Sequence, residues 1–159
     1  MEKIKIGFIG AGNMGAAIMK GIYASEAGKN IELYAADPST EKLEELAEYG
    51  VTACSDAVEV TEKCGYVFLA VKPQVIEGVL ETIAPAVTAD KVLVSIAAGI
   101  SDEFIASKTI SDAKVILVMP NTPLLLGEGA SALSRNDNVT EEEFEIILNV
   151  FRACGKAAV

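Results

Sequence analysis

Apolar positions along this chain follow two alternating rhythms. Predominantly apolar runs at residues 4–9, 31–36, 51–54, 66–71, 91–96 and 114–118 are predicted strands. Between them, apolar residues recur at three- and four-residue spacing, which predicts helices over 14–24, 38–49, 56–63, 73–83 and 101–107. Leu43, Leu46 and Ala47 should face inward from the second helix, and Val75, Ile76, Val79, Leu80 and Ile83 from the fourth. Ser101 is the expected N-cap of the fifth. Past Pro123 the rhythm changes. Residues 129–134 read as a strand, Thr140 with Glu143 forms a capping box, and Phe144, Ile147, Leu148 and Phe151 follow at helical spacing. Gly155 is a plausible stop, and residues 156–159 begin another apolar strand.

Strands that lack polar alternation are covered on both faces, and strand–helix alternation builds a parallel sheet. The first strand runs directly into Gly10, Gly12 and Gly15, and then into a helix. In that context the glycines form a dinucleotide-binding fingerprint. Gly10 permits the tight turn, Gly12 lets a pyrophosphate approach the backbone, and Gly15 lets the helix pack closely on its strand. A glycine turn with no ligand is the rival reading, but strand, helix and position agree on a nucleotide site. The expected fold is therefore α/β: a Rossmann-type, doubly wound, mostly parallel sheet with helices on both faces.

Ligands of such sheets sit beyond the carboxyl ends of the strands. Five segments should surround one crevice there: 10–15, 36–37, 70–73, 97–99 and 119–123. Asp37 lies about 20 residues past the glycines, where a carboxylate holds a ribose 2′-hydroxyl and favours NAD. Equally, Asp37 and Pro38 are N-cap and N1 of a helix that needs no ligand, and Ser39, Thr40 and Lys42 would welcome a 2′-phosphate. Lys72 is either a cation beside the dinucleotide or a solvated surface lysine, while Pro73 fixes the path of the backbone from Ala70 through Val71. Ala97, Ala98 and Gly99 are small enough for a flat ring to lie against them, or for close helix packing. Asn121, between two prolines, either bonds a ligand or its own turn backbone.

Composition narrows the chemistry. The 159 residues suffice for one domain with its own core, and 51% hydrophobic with 23% charged residues is the balance of a globular protein. No apolar run approaches a membrane span, and Lys3 and Lys5 alternating with Ile4 and Ile6 do not make a signal peptide, so a cytoplasmic protein is expected. A net charge of −10 argues against nucleic acid and leaves an anionic dinucleotide to local N–H groups and one or two cations. Three cysteines without CxxC spacing and no histidine argue against a zinc site or a disulfide framework. The missing histidine also excludes Ser–His–Asp and Cys–His hydrolases and any dehydrogenase with histidine as its general acid.

The chain resembles the pyrroline-5-carboxylate reductases along nearly its whole length. The resemblance rests on IGFIGAGNMGAAIMKGI at 6–22, VFLAVKPQ at 67–74, SIAAGIS at 95–101 and VMPNTPLLLGEGASALS at 118–134. It implies an NADP- or NAD-dependent oxidoreductase of proline biosynthesis that reduces the C=N bond of 1-pyrroline-5-carboxylate to L-proline. A protonated cyclic imine accepts hydride directly, which would account for the missing histidine. By resemblance, Ile9, Gly10, Ala11, Gly12, Asn13 and Met14 line the pyrophosphate and adenosine side, Ala70, Val71, Lys72 and Pro73 flank the dinucleotide, Ala97 and Ala98 meet the nicotinamide, and Asn121 lies near the reacting carbon. Where the family often has a cofactor-touching asparagine, this chain has Ala57 within SDAVE. The family also continues into a helical domain that forms the dimer and holds the substrate carboxylate. Residues 1–159 would then be the NAD(P)-binding domain alone, a piece of a longer, homo-oligomeric enzyme. Two rivals remain: a β-hydroxyacid dehydrogenase, which needs a catalytic lysine on a later helix, and a non-enzymatic dinucleotide-sensing module.

Overall fold

The computed structural model describes residues 4–10, 13–24, 30–96, 100–120 and 129–158. Eight strands form one sheet in the order β3-β2-β1-β4-β5-β6-β7-β8. β1 (Ile4–Ile9), β2 (Ile31–Ala36), β3 (Val51–Ala53), β4 (Tyr66–Leu69), β5 (Val92–Ser95) and β6 (Lys114–Pro120) run parallel. β7 (Gly129–Arg135) turns back antiparallel to β6, and β8 (Gly155–Ala158) lies parallel to β7. Among the described residues six α-helices connect them: α1 (Asn13–Ala24), α2 (Thr40–Ala47), α3 (Ala57–Lys63), α4 (Pro73–Ile83), α5 (Asp102–Lys108) and α6 (Glu141–Cys154).

Side chains alternate across the sheet and build two cores. Ile6, Phe8, Leu33, Phe68, Val94 and Ile116 pack with α1, α2 and α6 on one face. Val67, Leu69, Leu93 and Val115 pack with α3, α4 and α5 on the other. The Phe8 and Phe68 rings stack at 4.5 Å on neighbouring central strands. Both faces are covered, so the strands need no polar alternation.

The predicted elements are all present, with shifted ends. Asp37 and Pro38 do not start α2. The Asp37 carboxylate Oδ1 accepts the Ser39 N–H at 2.8 Å, and this Asx turn delays the helix until Ser39 caps it, its Oγ accepting the Lys42 N–H at 3.4 Å. Leu43 and Leu46 face the core, but Ala47 at the end of α2 is exposed. Val75 is also turned outward, 48% exposed, while its neighbour Ile76 is fully buried. The capping box of α6 forms as read: the Thr140 Oγ1 accepts the Glu143 N–H at 3.1 Å, and the Glu143 carboxylate accepts the Thr140 N–H at 3.0 Å.

Candidate dinucleotide site

The strand order reverses between β1 and β4, and the register is flush there. Ile9 pairs with Ala36 on one side and Leu69 on the other, and Leu69 pairs with Ser95. Four chain exits therefore leave the sheet side by side. The ladder continues into them: the Gly10 N–H bonds the Ala36 carbonyl at 2.8 Å, and the Ala70 N–H bonds the Ile9 carbonyl at 2.9 Å. These bonds hold the starts of the loops in place before any ligand arrives.

Gly10 has φ +103°, a conformation that side chains rarely adopt, and a Cβ there would stand 2.5 Å from the Ala70 carbonyl oxygen. A Cβ on Gly15 would stand 3.1 Å from the Gly10 carbonyl oxygen and 3.2 Å from the Ala70 methyl, so a side chain there would press on the turn where α1 packs closely on the sheet. α1 follows within three residues of Gly10, and its N-terminus opens at the switch point. Its first turn carries no acid, and neither does that of α4, which enters from β4. The first turns of α2, α3, α5 and α6 all do. The two helices that flank the switch point thus keep the partial positive charge of their N-termini available for an anion.

Beside this turn lies a cleft of about 340 Å³. Ile9, Gly10, Ala36, Pro38, Ala57, Val71, Val75 and Val79 line it together with the polar residues Asp37, Ser55 and Asp56. Four residues expected from the sequence meet here: Ile9, Gly10, Asp37 and Val71. Ala70 lies directly behind, through its hydrogen bond to Ile9. Asn13 and Met14 open α1, and Lys72 and Pro73 open α4. Lys72 is exposed, in extended backbone at the N-cap, and does not line the cleft. Ala11, Gly12, Ala97, Ala98 and Asn121 lie outside the described residues.

The sequence reading missed Val75, Val79 and Asp56. Val75 and Val79 carry an apolar period that reads as core, although the first two turns of a helix leaving a strand end must pass the crevice. Asp56 caps α3, its Oδ1 accepting the Glu59 N–H at 2.8 Å, and a cap at a strand end also faces the crevice. Ala57 does line the cleft, and its methyl offers no hydrogen bond where an asparagine would.

Two thiols lie close by in the sheet's second core, Cys54 and Cys64, both buried and free. Burial raises both, Cys64 to about 12, so neither supplies a thiolate at neutral pH. No helix among the described residues is long and apolar enough to cross a membrane.

Fold and crevice together define a Rossmann-type dinucleotide-binding unit. Residues 5–99 match the model of the family described as NADP oxidoreductase, coenzyme F420-dependent, and the chain belongs to that family. Among named relatives it is similar to the pyrroline-5-carboxylate reductase of Escherichia coli, 40% identical over 160 residues, which covers 100% of this chain and 59% of the relative. Among solved structures it is similar to Plasmodium falciparum pyrroline carboxylate reductase with NADP bound, at TM-score 0.84 and 33% identity, over 99% of this chain and 58% of that one. A pyrroline-5-carboxylate reductase from Coxiella burnetii matches at TM-score 0.89 and 28% identity, over 96% and 57%. The chain thus spans less than two thirds of the relatives it matches.

Proposed function

We propose that this chain is the dinucleotide-binding part of a pyrroline-5-carboxylate reductase. The supporting observation is the Gly10 turn at the β1/β4 switch point, flanked by two acid-free helix starts, in a chain 40% identical along its full length to such a reductase. A bound reduced nicotinamide dinucleotide would supply hydride to the C=N carbon of protonated 1-pyrroline-5-carboxylate, leaving L-proline.

The work of the chain's own residues is positioning. The backbone from Gly10 to Met14 and the start of α1 receive the pyrophosphate, through N–H groups that the helix leaves unpaired. The cleft beside Asp37 takes the adenosine end, with Val71, Val75 and Val79 as its apolar wall. Ala70, Val71, Lys72 and Pro73 carry the dinucleotide past β4, Ala97 and Ala98 meet the nicotinamide, and Asn121 stands near the reacting carbon. The part of the relatives beyond this chain's span supplies the substrate carboxylate site and the homo-oligomer contacts. A cytoplasmic location belongs to the same reading and agrees with free thiols at Cys54 and Cys64.

Fluorescence titration of the chain with each reduced cofactor tests the binding half. Saturable binding that Gly10→Ala abolishes is expected, and no binding of either cofactor refutes the proposal. Reduction of pyrroline-carboxylate by a longer protein containing this chain tests the activity. Oxidation of 3-hydroxyisobutyrate instead would point to the β-hydroxyacid dehydrogenases, and binding without turnover in that longer protein to a sensing module.

A further inference from the structure

We propose that a second cleft, at the open edge of β2, binds a small alkylguanidinium ion between tyrosine rings and the Glu32 carboxylate. The cleft holds about 300 Å³, and Tyr23, Tyr34 and Tyr49 line it with Glu32 and Thr52. It uses residues 31–34 of β2, whereas the dinucleotide cleft begins at Ala36 where that strand ends.

The fold leaves this edge open for a local reason. The ladder between β2 and β3 begins only at Leu33, which pairs with Val51. Gly50, just before it, has φ +73° and sends its N–H back to the Ala47 carbonyl at 3.1 Å, so it closes α2 instead of extending β3. Ile31 and Glu32 therefore precede the ladder. Peptide groups two residues apart on a strand point to the same edge. The Ala35 carbonyl accepts the Cys54 N–H at 2.7 Å on the β3 side, and Ile31, four residues earlier, directs its carbonyl the same way.

The chemistry of the lining selects the ligand. The Tyr23 ring is 56% exposed and stands edge-on to Tyr49, with centroids 5.6 Å apart and planes at 88°. The Lys20 ammonium lies 5.3 Å from the Tyr49 centroid, so this ring pair already holds one cation. The Glu32 Oε2 accepts the Tyr34 hydroxyl at 3.3 Å, and the carboxylate keeps further capacity to accept. Lys5 stands opposite Glu32 in register, but among the described residues no ion pair joins them. Among the described lining residues Glu32 is the charged one. Aromatic faces, a carboxylate and a strand-edge carbonyl favour a flat ligand that donates and does not accept. A guanidinium has five N–H donors and no acceptor, and it stacks on rings, which an ammonium does not. The volume lies at the small end for ligand clefts and suits a free small molecule. A net charge of −10 draws cations towards the chain.

The chain has four tyrosines and no tryptophan, and three of the four line this cleft, so tyrosine fluorescence reports on it. The test titrates the chain with ethylguanidinium, and with ethylurea as a neutral molecule of the same shape. Saturable binding of ethylguanidinium in the millimolar range is expected, with ethylurea at least about tenfold weaker. Added sodium chloride should weaken the binding, an arm that needs no variant. Glu32→Gln should weaken it about tenfold, and Tyr23→Leu about threefold. A saturating reduced dinucleotide should leave the affinity unchanged. No saturable binding, equal binding of ethylurea, or an unaltered affinity in Glu32→Gln would each overturn the proposal. Displacement by the dinucleotide would also overturn it, by locating the ligand in the other cleft. Each of these results leaves the dinucleotide reading standing, because that reading is tested by cofactor titration alone.

Discussion

Val75 and Ile76 are neighbours on α4 with opposite fates. Ile76 is sealed against the sheet, and Val75 is 48% exposed on the wall of the cleft. Ile76→Ala should cost about 2–5 kcal/mol of stability, by lost burial plus a cavity. Val75→Ser should leave stability within about 0.5 kcal/mol. It should weaken cofactor binding by about 1 kcal/mol, roughly fivefold, because it removes apolar wall. Urea unfolding and cofactor titration of the two variants separate the effects. Gly10→Ala should fail on both counts. Its Cβ would meet the Ala70 carbonyl at a backbone angle that alanine rarely adopts, a strain of about 1–3 kcal/mol. A shift in the urea midpoint together with lost titration signal is the expected result.

At the scale of elements, the caps decide where helices begin, and α6 shows what a cap contributes. Its Thr140–Glu143 box is joined by an ion pair from Lys114 at the start of β6, with Nζ 2.8 Å from the Glu143 carboxylate. Burial by itself would raise the Glu143 pKa, but the hydrogen bonds from Lys114 and Thr140 outweigh it and the net shift is downward. A carboxyl lowered on folding contributes stability that is complete above its unfolded pKa and is lost as pH falls through the folded one. Glu143→Gln should therefore destabilise the chain at neutral pH and flatten its acid limb, so that the two proteins converge in acid. Urea midpoints measured across that range check the sign. Thr140→Ala, which removes one half of the box, should cost about 1 kcal/mol.

At the scale of the molecule, the flush carboxyl ends of β1, β2, β4 and β5 place the starts of four loops of the crevice on one line. Those four strands lie within the chain, which spans 59% of the Escherichia coli relative. Cofactor binding and turnover should accordingly separate. The 159-residue chain should bind dinucleotide and reduce pyrroline-carboxylate far more slowly than a protein that also carries the remaining part. Steady-state assays of both forms at equal concentration test this, and equal rates would refute it.

Much of this was legible in the sequence, because local chemistry fixes it. The apolar runs of β1, β2 and β4 have one stable fate, burial on both faces of a parallel sheet. The Gly10 turn and the Thr140 box depend on residues a few positions apart. The fate of Val75, Ala47 and Asp56 was not legible. An apolar period shows which face of a helix is apolar, but only the packed neighbours show where that face runs out of sheet and meets an open cleft. Asp37 marks the same boundary. Its identity called for a helix cap or a ligand, the Ser39 N–H bonded to its carboxylate made it a turn ahead of the helix instead, and its place on the cleft beside Asp56 came from three strands ending together. Sequence by itself determined the elements and their order, through short-range sterics and burial. Tertiary structure alone decided which distant side chains share the crevice, because that depends on strand register across the sheet.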